Sequence, residues 1–291
     1  MNYTIKNEYL QVGISDRGAE LASIKSADGT EYLWQPDPAF WTGQAPNIFP
    51  YVARLTNETY TLEGQEYHMK IHGLVKYQTL QPEDVHEDRI TFRLDANDET
   101  RAQYPYEFTY RITYALEGNR LVTTNSVENR DTKRMYFAVG GHPGFRVPMD
   151  EGLSFEDYVL EFSADAKPYR VGFTDRCFLD GQDALYPLEE GRKIPLHHDL
   201  FDHDAIVLKH ADRTVTIRSE KGSRSVTVSY PDFMYIGFWH MPKKEAPYVC
   251  VEPWSSLPSR DGIVENLAQQ ADLLHADAGK TWSTSWTIEI R

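Results

Sequence analysis

The sequence predicts an all-β fold, a large and mostly antiparallel β-sandwich that residues 1–291 form as a single domain. Apolar and polar residues alternate along many segments, as they do in strands with one buried face and one wet face. Short turns containing glycine separate pairs of these segments and indicate hairpins. Helical periodicity is sparse, and 41% of the residues are hydrophobic, which is enough to build a core.

The predicted strands follow one another as hairpins. Apolar residues occupy every second position in 106–116, and after a turn at 117–119 the segment 121–127 returns beside it. The same pattern predicts two shorter hairpins and a last strand that closes a sheet; these segments are 59–62 with 67–70, 213–218 with 225–230, and 282–290.

Two segments depart from the hairpin pattern. Residues 175–200 are rich in charge, proline and glycine, and they predict a long excursion over the sandwich. Residues 263–275 contain the Ala, Leu, Gln and Glu that are typical of a helix, so we expect a helix there.

Two predicted strand ends each carry a group that can transfer protons. The apolar run 135–139 leads into Gly140-Gly141-His142-Pro143-Gly144-Phe145, where glycine and proline predict a sharp turn around a histidine. Far downstream, the run Val249-Cys250-Val251-Glu252-Pro253-Trp254 ends in an acid, a proline and a large aromatic residue. Histidine has an unperturbed pKa near neutrality, so His142 and Glu252 together suggest an acid–base site.

These two segments resemble the motifs around the paired histidine and glutamate of the aldose 1-epimerases, or galactose mutarotases. Asn47-Ile48-Phe49-Pro50-Tyr51-Val52-Ala53-Arg54-Leu55 is similar to that family's early segment, which ends in a sugar-binding arginine. Ile71-His72-Gly73-Leu74-Val75 is similar to its histidine–glycine segment. The four segments occur in family order between residues 47 and 254, and the LacX-like bacterial branch is the most similar.

The resemblance implies a fold, an activity and a set of site residues. The fold is the galactose mutarotase-like supersandwich with an open sugar cleft, and the reaction is the exchange of α and β anomers of a free aldose without a cofactor. Glu252 is then the general base and His142 the general acid, while Arg54 and His72 bind the sugar. With ordinary pKa values of about 4.3 and about 6.5, the two catalytic groups would need only modest tuning.

Three of the proposed binding residues have alternatives. The family's sugar-binding aspartate matches Asp204, which borders the apolar run 205–208, although Asp202 lies on the same face of a strand and remains possible. Trp239 suits either an aromatic wall of the cleft or core packing. Arg54 ends an apolar run predicted to be buried, so it needs either a sugar or a structural carboxylate as its partner.

Charge and composition exclude several classes of partner. A formal net charge of −14 disfavours nucleic acid and anionic membranes, which demand a positive surface. The spacing of His197, His198 and His203 matches no zinc signature, so we expect no metal site. Two cysteines make no disulfide framework, and neither a signal-peptide core nor a membrane span is present, so we expect a cytoplasmic protein.

Three rival functions remain beside the free-aldose mutarotase. A hexose-phosphate mutarotase would need additional cationic residues at the rim of the cleft. A non-catalytic carbohydrate-binding protein would keep Arg54 and the aromatic walls, but it would not need both His142 and Glu252. A glycosidase usually needs two carboxylates across the scissile bond, whereas the matched motifs supply one histidine and one glutamate.

Overall fold

The structure is a computed structural model that describes residues 1–291. It contains one short α-helix, α1 (Asp98–Gln103), and five 3₁₀ turns at Thr56–Glu58, Val75–Tyr77, Phe155–Asp157, His198–Phe201 and Leu267–Gln269. No helix is long and apolar enough to span a bilayer. The strands are β1 (Asn2–Lys6), β2 (Leu10–Ser15), β3 (Leu21–Ser26), β4 (Asn47–Ile48), β5 (Thr59–Leu62), β6 (Gln65–His68), β7 (Gln81–Val85), β8 (Arg89–Asp95), β9 (Phe108–Glu117), β10 (Arg120–Asn129), β11 (Met135–Phe137), β12 (Gly140–Gly141), β13 (Gly144–Arg146), β14 (Tyr158–Phe162), β15 (Tyr169–Arg170), β16 (Ala184–Leu185), β17 (Lys193–Pro195), β18 (Ile206–Lys209), β19 (Thr214–Ser219), β20 (Ser225–Ser229), β21 (Tyr235–Trp239), β22 (Tyr248–Trp254), β23 (Glu265–Asn266), β24 (Leu274–Ala276) and β25 (Thr281–Ile290).

Two large antiparallel sheets dominate the architecture. One has nine strands in the order β17-β14-β19-β20-β25-β10-β9-β8-β7. The other has the order β16-β15-β18-β21-β22-β12-β4, and β13 also pairs with β22. Three small sheets complete the fold, β1-β2-β3, β11-β24 and β23-β5-β6, and β23 pairs with β5 in the parallel sense. The predicted all-β, mostly antiparallel fold is therefore confirmed.

The predicted hairpins form with small shifts of their ends. The β9–β10 hairpin places Glu117 opposite Arg120, and both strands bury alternate residues. The last strand, β25, forms as predicted and completes the nine-stranded sheet from its centre, where it pairs with β10 on one side and β20 on the other. Residues 175–200 contain only short strands, as their composition predicts.

The helix predicted at residues 263–275 is wrong. This segment instead forms β23, a 3₁₀ turn and β24, because it pairs with β5 on one side and with β11 on the other. Tertiary pairing outweighs helix propensity here. The one α-helix was missed, although the Asn97 side chain caps it by accepting a hydrogen bond from the backbone N–H of Thr100, and the Thr100 hydroxyl oxygen accepts one from the backbone N–H of Asn97.

The two large sheets pack face to face, and the alternation of β22 separates two environments. Val249 and Val251 belong to the main core, where Phe238 contacts Phe162 of the facing sheet with ring centroids 6.2 Å apart. Cys250 and Glu252 alternate with these valines, so their side chains lie on the opposite face of the eight-stranded sheet. That outer face carries the candidate site.

Gly73 is essential to the local chain path beside this face. It has φ of +79°, and a Cβ atom there would lie 2.2 Å from the carbonyl oxygen of Phe49. Gly73→Ala therefore combines a left-handed backbone with a clash against fixed main chain. We expect the substitution to lower the free energy of unfolding by about 2–4 kcal/mol, measured by denaturant titration. Gly64→Ala is the matched control, since Gly64 has φ of +79° but open space around its Cβ position.

Candidate active site

A cavity of about 230 Å³ opens on the outer face of the eight-stranded sheet. It lies over β21 and β22 and receives residues from the loops that follow β4, β12 and the 3₁₀ turn at 198–201. All six residues predicted from the sequence line it, namely Arg54, His72, His142, Asp204, Trp239 and Glu252.

His142 and Glu252 reach the cavity from two neighbouring strands. His142 lies between β12 and β13, both of which pair with β22. Gly140 and Gly141 stay at negative φ, and they are small because a Cβ would lie 2.9 Å from the oxygen of Pro253 or 2.7 Å from Trp286. The sequence suggested that Glu252 lies at the end of its strand. In the structure β22 continues beyond it, through Pro253 to Trp254.

The two side chains face one cavity and lie close to each other. Nε2 of His142 lies 3.3 Å from Oε2 of Glu252. Both are buried, with His142 9% and Glu252 1% exposed. Neither Nδ1 of His142 nor Oε2 of Glu252 has a hydrogen-bond partner within the chain. Because such buried polar atoms are normally paired, these two atoms are available to a ligand.

Burial shifts both pKa values far more than the sequence suggested. It lowers the pKa of His142 to about 3, and the positive charge of Lys76 acts in the same direction. It also raises the pKa of Glu252 well above the usual value, with the charge of Asp204 adding to the effect. The expected modest tuning is therefore wrong, because transfer out of water disfavours the charged form of each group.

His72 has a defined tautomer. Its Nδ1 accepts a hydrogen bond from the backbone N–H of Ala53 at 3.3 Å. Burial lowers its pKa well below the usual value, and His142 and Lys76 contribute in the same sense. A neutral imidazole that accepts at Nδ1 carries its proton on Nε2, so His72 is a fixed donor. Its ring meets that of His142 edge to face, with centroids 5.3 Å apart.

Arg54 differs from its neighbours in the chain. The sequence predicted that it ends a buried run, and the run is buried, but Arg54 itself is exposed and lines the cavity. Ala53 has φ of +54°, which turns the chain out of its extended path just before Arg54. Arg54 forms no ion pair within the chain, so the structural carboxylate partner considered for it is absent.

Asp204, and not Asp202, reaches the cavity. Asp204 has φ of +71°, and its two oxygens accept hydrogen bonds from the thiol of Cys177 at 3.0 Å and the N–H of Ala205 at 2.8 Å. Asp202 ends the 3₁₀ turn at 198–201 and lines a neighbouring depression instead. Asp204 borders that depression as well, so of the two acids only Asp204 contributes to both surfaces, and Asp202, two residues away, does not line the cavity.

Aromatic rings form one wall of the cavity. Trp239 is half-buried, and its ring lies edge to face with His142 at 5.6 Å. Trp41, which the sequence analysis did not single out, lies 5.1 Å from the same imidazole at an interplanar angle of 31°. Both indoles line the cavity, so Trp239 serves as a cavity wall rather than as main-core packing.

Comparison with known proteins agrees with the motifs. The sequence profile described as aldose 1-epimerase matches residues 1–266. The chain belongs to the aldose 1-epimerase family. The plasmid LacX protein of Lactococcus lactis subsp. lactis is 37% identical, and the match covers 96% of this chain and 97% of LacX. The resemblance to the LacX-like branch is therefore confirmed.

Two solved structures are similar to this aldose 1-epimerase family member over its whole length. A galactose mutarotase related enzyme from Lactobacillus acidophilus superposes with a TM-score of 0.95 at 35% identity, covering 100% of this chain and 97% of that chain. A galactose mutarotase-like protein from Lactobacillus casei gives 0.94 at 32% identity and covers both chains completely. The galactose mutarotase-like fold is thus confirmed.

Three histidines considered as metal ligands in this family member do not converge. His197 pairs with Asp199, His198 lies 3.1 Å from Nε2 of His240, and exposed His203 lines the cavity. Lys76 also lines the cavity and was missed by sequence reasoning. It is half-buried and forms no ion pair, and burial lowers its pKa. Its place four residues after His72 offered no recognisable signal.

Proposed function

We propose that this protein is an aldose 1-epimerase that interconverts the α and β anomers of a free aldose by acid–base ring opening and closure. The observation that carries the proposal is the 3.3 Å approach of His142 to Glu252 within one cavity of a family member. A single proton donor and a single acceptor at one hemiacetal are the groups that this reaction requires.

The proposed chemistry balances without a cofactor. The carboxylate of Glu252 takes the proton of the anomeric hydroxyl, and a carbonyl forms at C1 as the bond from C1 to the ring oxygen breaks. The imidazolium of His142 gives its proton to the departing ring oxygen. After rotation about the bond from C1 to C2, the same steps run in reverse on the other face of the carbonyl.

The pKa directions support these roles. A carboxylate with a raised pKa is a stronger base, and an imidazolium with a lowered pKa is a stronger acid. The charged state of the pair (imidazolium and carboxylate) and its neutral state (imidazole and carboxylic acid) contain the same number of protons. They differ only in whether one proton lies on nitrogen or on oxygen. The two atoms lie 3.3 Å apart without a hydrogen bond between them, so a small rotation of either side chain brings them into line for a transfer that takes no proton from solvent.

The remaining side chains suit sugar binding. The N–H of His72 is a fixed donor toward a sugar oxygen, and Arg54 offers a planar set of donors that no carboxylate of the chain occupies. Asp204 accepts hydrogen bonds from sugar hydroxyls, while Trp41 and Trp239 present apolar rings to the carbon face of a pyranose.

Anomer exchange measured by NMR tests the proposal directly. Freshly dissolved α-glucose and α-galactose should reach anomeric equilibrium faster with the protein than with buffer, in proportion to protein concentration. Tight binding of a sugar without any acceleration of exchange would favour the carbohydrate-binding protein and would contradict the enzyme.

A hexose-phosphate mutarotase is the second candidate, and a specific observation favours it. Two cations that line the cavity, Arg54 and Lys76, have no ion-pair partner in a chain with a formal net charge of −14. Such cations suit an anionic substituent. The same NMR assay with glucose 6-phosphate and galactose 6-phosphate decides between the candidates, since the true substrate should have the larger kcat/KM.

Arg54→Lys should weaken sugar binding more than it slows the chemistry. Lysine keeps the charge but loses the planar fork, so we expect KM to rise about 10-fold and kcat to change less than about threefold. Steady-state anomer exchange measures both constants. Arg146→Lys is the matched control, because Arg146 is exposed and does not line the cavity. A fall in kcat with an unchanged KM would argue against the binding role.

A further inference from the structure

A free thiol lies beside the proposed catalytic pair. Cys250 is fully buried in β22, two residues before Glu252, so both side chains lie on the same face of the strand. The side chains of His142, Cys250 and Glu252 each offer one ligand atom, and these three atoms all lie within 4.8 Å of one another. The proposed mutarotation gives Cys250 no role.

Two glycines flank this group on the neighbouring strands. Gly144 of β13 pairs with Cys250, and a Cβ at Gly144 would lie 3.4 Å from the sulfur atom. Gly237 of β21 pairs with Glu252 and likewise carries no side chain toward it. The glycines on both flanking strands therefore leave the thiol, imidazole and carboxylate in direct proximity.

The polar atoms of the group are unsatisfied. Oε2 of Glu252 has no hydrogen-bond partner, and Glu252 is only 1% exposed. The thiol of Cys250 donates no hydrogen bond either, whereas the other free thiol, Cys177, donates to Asp204. Buried polar atoms without partners are unfavourable, and a cation bound at Nε2 of His142 would also interact with Oε2 of Glu252 and the sulfur of Cys250.

We propose that His142, Cys250 and Glu252 form a binding site for a thiophilic divalent cation, with Zn²⁺ the best fit among common ions. Sulfur, imidazole nitrogen and carboxylate oxygen are the ligands zinc prefers, and three protein ligands leave a fourth position open toward the cavity. Zinc bonds of about 2.3 Å to sulfur and about 2.0 Å to nitrogen or oxygen put tetrahedral ligand atoms roughly 3.3–3.6 Å apart.

The existing distances come close to that geometry. The 3.3 Å between Nε2 of His142 and Oε2 of Glu252 already matches a shared tetrahedral ion. The ligand atoms of the group lie within 4.8 Å of one another, so the sulfur needs a movement of about 1.3 Å at most to reach the tetrahedral spacing. The wall of Trp41 and Trp239 beside the group excludes water and strengthens ligand–ion attraction.

Binding of the ion exchanges protons for metal. The thiol of Cys250 loses its proton to solvent as the sulfur–zinc bond forms, and Glu252 does the same if it is protonated. The ion then holds the atoms of His142 and Glu252 that would transfer protons, so it acts as an inhibitor rather than as a cofactor. Only this inhibitory consequence rests on the proposed function; the binding itself does not.

Cobalt is the spectroscopic probe for the site, used with the full-length protein after chelator treatment and dialysis. We expect Co²⁺ to produce the near-ultraviolet absorption of a thiolate–cobalt bond in wild type and in Cys177→Ser, but not in Cys250→Ser or Cys250→Ala. Competition with a chromophoric zinc chelator should show at least about 100-fold weaker zinc binding for Cys250→Ala than for wild type, more than the loss of an outer-shell partner costs. Cys177→Ser is the matched control because Cys177 lies in the same cavity wall.

X-ray absorption of the zinc-loaded wild type keeps the proposal testable if the Cys250 variants do not fold. We expect one sulfur at about 2.3 Å, with nitrogen or oxygen at about 2.0 Å in the remaining positions. No thiolate band in wild type, a band that survives in folded Cys250→Ser, or a zinc shell without sulfur would overturn the site. Anomer exchange that is unaffected by saturating zinc would overturn the inhibitory consequence alone, and a protein without exchange activity would leave the metal result intact.

Discussion

Glu252→Gln is expected to slow anomer exchange by about 10²–10⁴-fold, and His142→Asn by a similar factor. Glu252→Gln keeps the shape of the side chain, His142→Asn replaces the ring by a smaller amide, and each removes one proton-transfer group, which corresponds to about 3–5 kcal/mol of transition-state stabilisation. The two effects should not add in the double variant, because in the proposed mechanism the neighbouring groups act as a unit on one hemiacetal. NMR exchange rates at saturating sugar give the comparison.

A buried carboxylate elsewhere provides the control for this experiment. Glu265 is 6% exposed and pairs with Arg260, outside the cavity. Glu265→Gln should therefore lower stability while leaving the exchange rate per folded molecule within about twofold of wild type. If folded Glu252→Gln exchanges the anomers of every accepted sugar at the wild-type rate, the mechanism is wrong and the carbohydrate-binding reading gains support.

The strands were predictable where one face of a sheet meets polar surroundings. Alternation in β9 and β10 appears directly in the sequence because every second side chain enters the core. Alternation gives no such signal in β22. Every residue of this strand is buried, so its apolar run does not show which side chains lie on which face of the sheet. Alternation also failed at residues 263–275, whose structure depends on partners more than 100 positions away in β5 and β11.

The ordered motifs predicted which residues form the candidate site, but they did not predict how those residues are arranged. Motifs identify His142, Glu252, Arg54 and His72, but no local pattern encodes the 3.3 Å distance or the depth of burial that determines both pKa values. Nor could spacing distinguish Asp204 from Asp202, since the left-handed backbone at Asp204 rather than strand alternation directs it to the cavity.

The missed residues fall into two groups. Trp41 and Lys76 enter the cavity from connecting segments outside the recognised motifs, so only the assembled fold reveals them. Cys250 did carry a signal, since it lies two residues before Glu252 on a strand and must share its face. Its meaning depends on His142, which lies 108 positions earlier in the chain and joins it only through the pairing of β13 with β22.

The buried pair also predicts how stability depends on pH. The folded pair retains one proton from about pH 3, where His142 titrates, up to the raised pKa of Glu252. With ordinary values of 4.5 for Glu and 6.5 for His, the unfolded pair binds two protons below pH 4.5, one between 4.5 and 6.5, and none above 6.5. Stability rises with pH where the unfolded chain binds more protons, and it falls with pH where the folded chain binds more.

The contribution of the pair to stability should therefore be greatest and flat between pH 4.5 and 6.5. Below this window stability falls as the pH falls. The imidazole of His142 is protonated in the unfolded chain, whereas its lowered pKa keeps it neutral in the folded chain down to about pH 3. Above it the raised pKa of Glu252 makes stability fall as the pH rises, by up to about 1.4 kcal/mol per pH unit until the folded carboxyl ionises.

Comparison of wild type with the double variant Glu252→Gln/His142→Asn isolates this contribution, since all other titrating groups are common to both proteins. The difference in unfolding free energy, measured by urea titration from pH 4 to pH 9, should be constant across the window and then move in favour of the double variant on both sides. A difference that stays constant over the whole range would mean that the pair is not held with one proton. In that case the raised and lowered pKa values would not support its assignment as base and acid.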